Sequence, residues 1–195
     1  MPYPEFNALL DHLAVLFFDL RTGSLLLLLA VAAVFDFRFH RIPNWLVVSG
    51  ALFGVIYNTA MPESISDNIL TPLAGIGVGL LLFLPLYALR AMGAGDVKLL
   101  AMTGAFVGAG ATLRVALLSV LVGGVLSIVY VLVKRTAPKM VRNLVSVFQL
   151  SILNVLGGSA PSFRIAVDKS AGKLPFGVAI LLGTFTYLVL HQLNS

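Results

Sequence analysis

Apolar residues in this chain come in long, nearly unbroken runs separated by short polar breaks, without the alternation that marks a half-buried strand or an amphipathic surface helix. Residues 22–37 are apolar until Asp36, and the runs 44–60, 69–89, 115–133 and 174–190 carry no charge at all. A further run, 96–110, is short and opens on a carboxylate, so it is expected either to pack among the other helices or to extend through Thr112 and Leu113. A helix that crosses the hydrocarbon layer needs about 20 mostly apolar residues, with roughly 17–25 as the working range. The pattern predicts an all-α polytopic membrane protein of about six transmembrane helices, organised as a single membrane-embedded domain over 1–195.

Composition agrees with that reading. Hydrophobic residues make up 59% of the chain and charged residues 11%, with a mean hydropathy of +1.01, where a soluble domain carries about 25% charged residues. The net charge of +5 would suit a nucleic acid partner in a polar chain, but so few charges among so many aliphatic side chains exclude that use, and membrane lipid is the surrounding expected instead. The absence of cysteine removes disulfides, thiol catalysis, cysteine-based zinc sites and iron–sulfur clusters together. The first 20 residues contain Glu5, Asp11 and Asp19 and no Lys or Arg, so they lack the basic start of a cleavable signal and are expected to be retained.

The basic residues orient the chain, because Lys and Arg in short loops stay on the cytoplasmic side. Arg38 and Arg41 follow the first run, Arg90 and Lys98 flank the start of the fourth, and seven more lie in the connection 134–173. Only Arg21 and Arg114 fall on the opposite side, with Glu5, Asp11, Asp19, Glu63 and Asp67. Both termini are thus expected away from the cytoplasm, in an inner (cytoplasmic) membrane. Within the long connection, 142–156 is too short for a span, and Arg142, Asn143, Ser146, Gln149 and Asn154 share about 140° of a helical wheel. It is expected to form an interfacial amphipathic helix, with a re-entrant segment as the alternative.

Five of the eight acids lie outside and Asp168 lies in the long connection, which leaves Asp36 and Asp96 at the inner ends of spans. An ionisable group at a helix centre costs roughly 2.5–3.5 kcal/mol on insertion scales, and less toward the interface, so it is usually retained for function. Each could instead cap a helix or neutralise a nearby cation. Around the first acid the chain reads Asp36-Phe-Arg-Phe-His-Arg41-Ile42-Pro43-Asn44, where Pro43 holds Ile42 extended and Asn44 is placed to cap the next helix. Around the second it reads Gly93-Ala-Gly95-Asp96-Val-Lys98, where two glycines break the backbone and a helix is expected to start at Asp96. Asp36 then sits at a helix C-terminus and Asp96 at an N-terminus. Since a helix N-terminus favours negative charge, Asp96 is expected to be the base of the pair and Asp36 the acid.

These two runs, 60 residues apart, resemble the signatures of the type IV prepilin peptidases, membrane aspartic proteases of the GxGD class. Lys173-Leu-Pro175-Phe-Gly177-Val-Ala, before the last span, is similar to the way that family's final helix begins. The resemblance implies a membrane peptidase domain in which Asp36 and Asp96 are catalytic, with Arg41, Pro43, Asn44, Gly93, Gly95 and Lys98 positioning them. It implies a prepilin substrate cut after a glycine, where a short basic leader meets a hydrophobic helix, and no metal or organic cofactor. Larger members insert a domain with paired CxxC motifs between the first two spans and also N-methylate the new terminus. Here about seven residues separate Asp36 from Asn44, so no methyltransferase activity is expected. The layout is similar to the short tight-adherence (CpaA/TadV-like) branch that processes Flp-type prepilins, and also to short archaeal preflagellin peptidases.

Other chemistries fit less well. His12, His40 and His191 form no HExxH pair, and no G-x-S-x-G elbow is present. His40 is close enough in sequence to Asp36 to influence it, but an interfacial histidine without a catalytic role is the simpler expectation. Lys98 lies about 200° round the helix from Asp96 and is expected to extend toward the headgroups rather than pair with that acid. Gly75, Gly77, Gly79 and the pair Gly104 and Gly108 suggest close helix packing more than motion. A small ion-coupled transporter would also use buried carboxylates, but no repeat relates the two halves of the chain. A non-catalytic pilus-assembly subunit is the remaining alternative, and it would tolerate Asp→Asn changes.

Overall fold

The computed structural model describes residues 19–61, 68–89, 92–133 and 175–193, and every regular element among them is an α-helix. In chain order these are α1 (Leu20–Phe39), α2 (Asn44–Ala60), α3 (Leu70–Ala88), α4 (Ala94–Val133) and α5 (Phe176–Leu193). The stretches Leu20–Phe39, Leu70–Ala88, Ala94–Tyr130 and Phe176–Leu193 are long and apolar enough to cross a membrane. The chain is thus an all-α membrane protein, with four such helices among the described residues where the sequence suggested six spans. Two segments make the difference: α2 has 17 residues, at the short end of the working range, and α4 combines two expected spans. The interfacial helix expected over 142–156 lies outside the described residues.

Local chemistry sets the boundaries. Asp19 caps α1 by accepting the Thr22 amide at 3.0 Å, and Asn68 accepts the Leu70 amide at 2.9 Å where α3 begins. Before α2, Pro43 occupies the cap position in extended geometry without a side-chain bond. The cap expected from Asn44 is therefore not formed, because Asn44 is already the first helical residue and its side chain is used elsewhere. Likewise α4 starts at Ala94, not at Asp96.

The 40 residues of α4 are not one rod. Gly108 has φ 77° and ψ 172°, a conformation open to glycine and closed to most side chains. Thr112 Oγ1 lies 3.0 Å from where a Cβ on Gly104 would be, whereas eight residues of straight helix would separate the two by roughly 12 Å. The arms before and after Gly108 therefore fold back on each other, and the short fourth stretch packs among the other helices.

This first arm is the centre of the bundle. Its Leu99, Leu100, Met102 and Phe106 form one core with Leu25 and Leu29 of α1, Leu46 and Val47 of α2, Phe83 of α3, Val115 of the second arm and Ile180 of α5. Helix α2 runs parallel to it, with Gly50 on Met102 and Gly54 on Phe106. Helix α3 runs antiparallel: Gly75 meets the Gly104 carbonyl and Gly79 lies against Ala101, so the backbones touch directly. Helix α5 packs antiparallel to the second arm, Phe176 on Gly123 and Gly183 on Ser119. Outside this core Leu27, Val34, Leu52, Ile56, Leu81, Leu121 and Ile128 are exposed, as lipid-facing positions are. The buried hydroxyls of Thr103, Thr112, Ser119 and Thr184 each donate to the carbonyl four residues back, so none needs an interhelical partner.

The break at Gly108 frees the last carbonyls of the first arm, and two side chains take them up. Asn58 of α2 donates to Ala105 O at 2.7 Å and Phe106 O at 3.1 Å. Arg21 of α1 donates to Phe106 O through Nε at 2.9 Å and also through Nη2. A cation at a helix C-terminus is favourable, which gives a structural use to one of the two basic residues assigned to the far side of the membrane.

The direct backbone contact between α3 and the first arm generates a stability prediction. Gly75→Ala and Gly104→Ala each place a Cβ against the partner's carbonyl, and each should destabilise the protein by about 1–3 kcal/mol, read as a lower Tm in detergent. Gly77→Ala, which meets nothing within 4 Å, should leave the Tm unchanged or raise it, since alanine is the better helix former.

Candidate active site

The C-terminal end of α1, the turn into α2, the start of α4 and the start of α5 meet at one end of the bundle. Asp36 lies in the last turn of α1 and is 8% exposed. Its Oδ2 accepts the Gly177 amide at 2.7 Å, at the N-terminus of α5. A Cβ on Gly177 would come 3.0 Å from that oxygen, tighter than ordinary contact, so glycine admits the carboxylate. Asp96, also 8% exposed, is the third residue of α4, and its Oδ2 reaches back to accept the Gly93 amide at 3.1 Å. That is the acid half of a capping box, in which the third helical residue satisfies a donor ahead of the helix.

The two acids lie on segments that meet at this end of the bundle. Two contacts join the segments that carry them. Ile42 covers Gly95 so closely that a Cβ there would lie 3.2 Å from Ile42 Cβ. Lys98 Nζ donates to Asn44 Oδ1 at 3.0 Å, tying the start of α2 to the first turns of α4. Lys98 is thus turned away from Asp96 but is held by protein, where the sequence suggested the headgroups. Pro43 fixes the turn before α2, and Gly93 supplies the amide to Asp96. Arg41 is exposed on the turn and makes no ion pair or side-chain hydrogen bond among the described residues.

Helix ends alone had favoured Asp96 as the more easily ionised acid. Packing adds a second helix end to that comparison, because the end of α1 brings Asp36 against the start of α5. Each carboxylate now faces a helix N-terminus and receives one backbone N–H on one oxygen. Its second oxygen makes no hydrogen bond to a described residue. Two carboxylates that interact strongly titrate as a pair and share a proton rather than ionising together. Among the described residues no group of three His, Cys, Asp or Glu side chains could hold a metal ion.

Gly177 was not singled out from the sequence as a site residue, although Pro175-Phe-Gly177 had marked the start of the last helix. Its partner lies 141 residues away, so only the fold could connect them. Phe176 beside it packs edge-on to Phe83 with ring centroids 5.9 Å apart, which locks the start of α5 onto α3.

A family model described as the type IV leader peptidase family matches residues 23–128. That interval covers more than half of the chain and contains both acids. No curated protein and no solved structure matches.

The Lys98–Asn44 bond ties the run 36–44 to the run 93–98 from side chain to side chain, and it should be measurable as such. In a double-mutant cycle, Lys98→Ala and Asn44→Ala should couple by about 0.5–1.5 kcal/mol in unfolding free energy. Lys98→Ala with Arg41→Ala should show no coupling.

Proposed function

Because this chain belongs to the type IV leader peptidase family, we propose that it removes the leader of a type IV prepilin of the Flp type, with Asp36 and Asp96 as the catalytic pair. The family implies aspartic protease chemistry in general. The assignment of these two residues is supported above all by one observation: acids 60 residues apart in sequence converge at one end of the bundle, each with one oxygen held by a backbone amide.

The chemistry follows from the pair. One carboxylate is ionised and the other carries the shared proton. The ionised member takes a proton from a water, whose oxygen attacks the scissile carbonyl carbon. The protonated member gives its proton to the carbonyl oxygen, and the tetrahedral intermediate collapses as the first acid passes the water's proton to the leaving nitrogen and the intermediate's hydroxyl returns its proton to the second acid. The Gly177 and Gly93 amides hold one oxygen of each acid, and the second oxygen of each is the one available to water and substrate. Neither a metal nor an organic cofactor is needed for these steps. Positioned proton transfer of this kind contributes typically 10²–10⁴-fold.

Charge supports a cytoplasmic membrane face for the site. Arg38, Arg41 and Lys98 belong to the same end as the two acids, and Arg21 clasps the opposite end, so retention of basic residues on the inner side favours a place for the acids at the cytoplasmic face of the inner membrane. Exposed Phe37, Phe39, Trp45 and Tyr87 ring that end as interfacial aromatics do. A prepilin presents its leader junction at this depth. Only residues 40–43 connect α1 to α2, too few to hold an inserted methyltransferase domain, which supports cleavage without N-methylation.

Co-expression with a Flp-type prepilin tests the reading. Leader removal, followed by gel mobility, should fall at least about 10²-fold in Asp36→Asn and in Asp96→Asn, with the membrane protein still present at normal level. Full processing by either variant would instead indicate a transporter or an assembly subunit. Mass spectrometry of the mature pilin should give an unmethylated N-terminus.

A further inference from the structure

His40 stands apart in this structure for three reasons. It is the non-glycine residue with positive φ among those described, at 49°, in a left-handed conformation that glycine adopts freely and a Cβ disfavours. Its own N–H closes α1 on the Asp36 carbonyl at 2.8 Å. Its imidazole Nδ1 lies 3.1 Å from the same carbonyl, and since that oxygen can only accept, the ring donates.

A helix cap requires only the backbone bond, and glycine would supply it with less strain. The second bond exists only because residue 40 has a ring. Its acceptor belongs to the very residue whose carboxylate must reach Gly177. An aspartate side chain has two rotatable bonds, so the place of its carboxylate is set largely by the placement of its backbone. We propose that the His40 imidazole is a positioning residue for Asp36: by gripping the Asp36 carbonyl it sets the last turn of α1 so that Oδ2 meets the Gly177 amide. The catalytic consequence rests on the peptidase reading above, and the geometry does not.

Two variants and two measurements test this. His40→Gly keeps the left-handed cap and its N–H but deletes the ring, while His40→Asn tolerates the same backbone and offers a side-chain N–H in its place. In His40→Gly, kcat for leader removal should drop roughly 10- to 100-fold, the scale of a misplaced catalytic group. KM should stay constant and the Tm should not fall, because the cap itself survives. Hydrogen exchange at the Gly177 amide should accelerate roughly tenfold as its bond to Asp36 loosens. His40→Asn should restore both turnover and protection. Wild-type turnover in His40→Gly overturns the proposal. If the unaltered chain fails to cleave any prepilin, the peptidase reading falls instead, and Gly177 exchange alone decides: acceleration in His40→Gly supports positioning, and unchanged exchange refutes it.

Discussion

A carboxylate inside a bilayer must obtain its hydrogen bonds from the protein, and in this bundle the donors are backbone amides at helix starts. Cationic side chains make costly donors here because a buried cation carries its own desolvation cost, whereas an N–H in the first turn of a helix has no intrahelical partner and lacks an acceptor anyway. The need of each acid thus meets the need of a helix end. Asp96 satisfies the amide ahead of its own helix, and Asp36 satisfies the start of α5. The rest of the molecule has to bring two helix N-termini and one helix C-terminus to the same place.

That requirement explains why glycines punctuate an interior otherwise filled by leucine, methionine and phenylalanine side chains. The first arm of α4 is surrounded by α1, α2, α3, the second arm and α5, which is possible only where the helices approach closely. Gly75 against Gly104 and Gly79 against Ala101 provide that approach on one side, and Gly50 and Gly54 against Met102 and Phe106 on another. The break at Gly108 returns the chain at once and leaves two carbonyls open at the far end, which Asn58 and Arg21 fill. Polar capping at one end and acid chemistry at the other are two outcomes of the same short central arm.

Sequence reading worked where the determinants are local. The limits of α2 follow from Pro43 on one side and the end of the apolar run on the other, and the all-α membrane class follows from run length alone. Both acids stood out because charge is rare in such runs. The break in α4 was not legible to the residue, because 96–110 holds Gly104, Gly108 and Gly110, any of which could end a helix. The partner of Asp36 was not legible either: the relevant amide belongs to a distant helix, and the helix-end argument that favoured Asp96 considered only each acid's own helix. Asn44 illustrates the same point, since its residue type suits a cap but the fold gives its side chain to Lys98.

The central arm also sets the acids' depth. From Ala94 to the break at Gly108 it rises about 21 Å, while the oily layer it stands in is about 30 Å thick. A post shorter than the slab around it leaves a dent at one surface or the other. A span that short is accommodated by a locally thinner bilayer or by flanking side chains that reach outward, so the place of Asp96 is tied to the length of the arm, and one added turn would move it about 5 Å further from the break at Gly108.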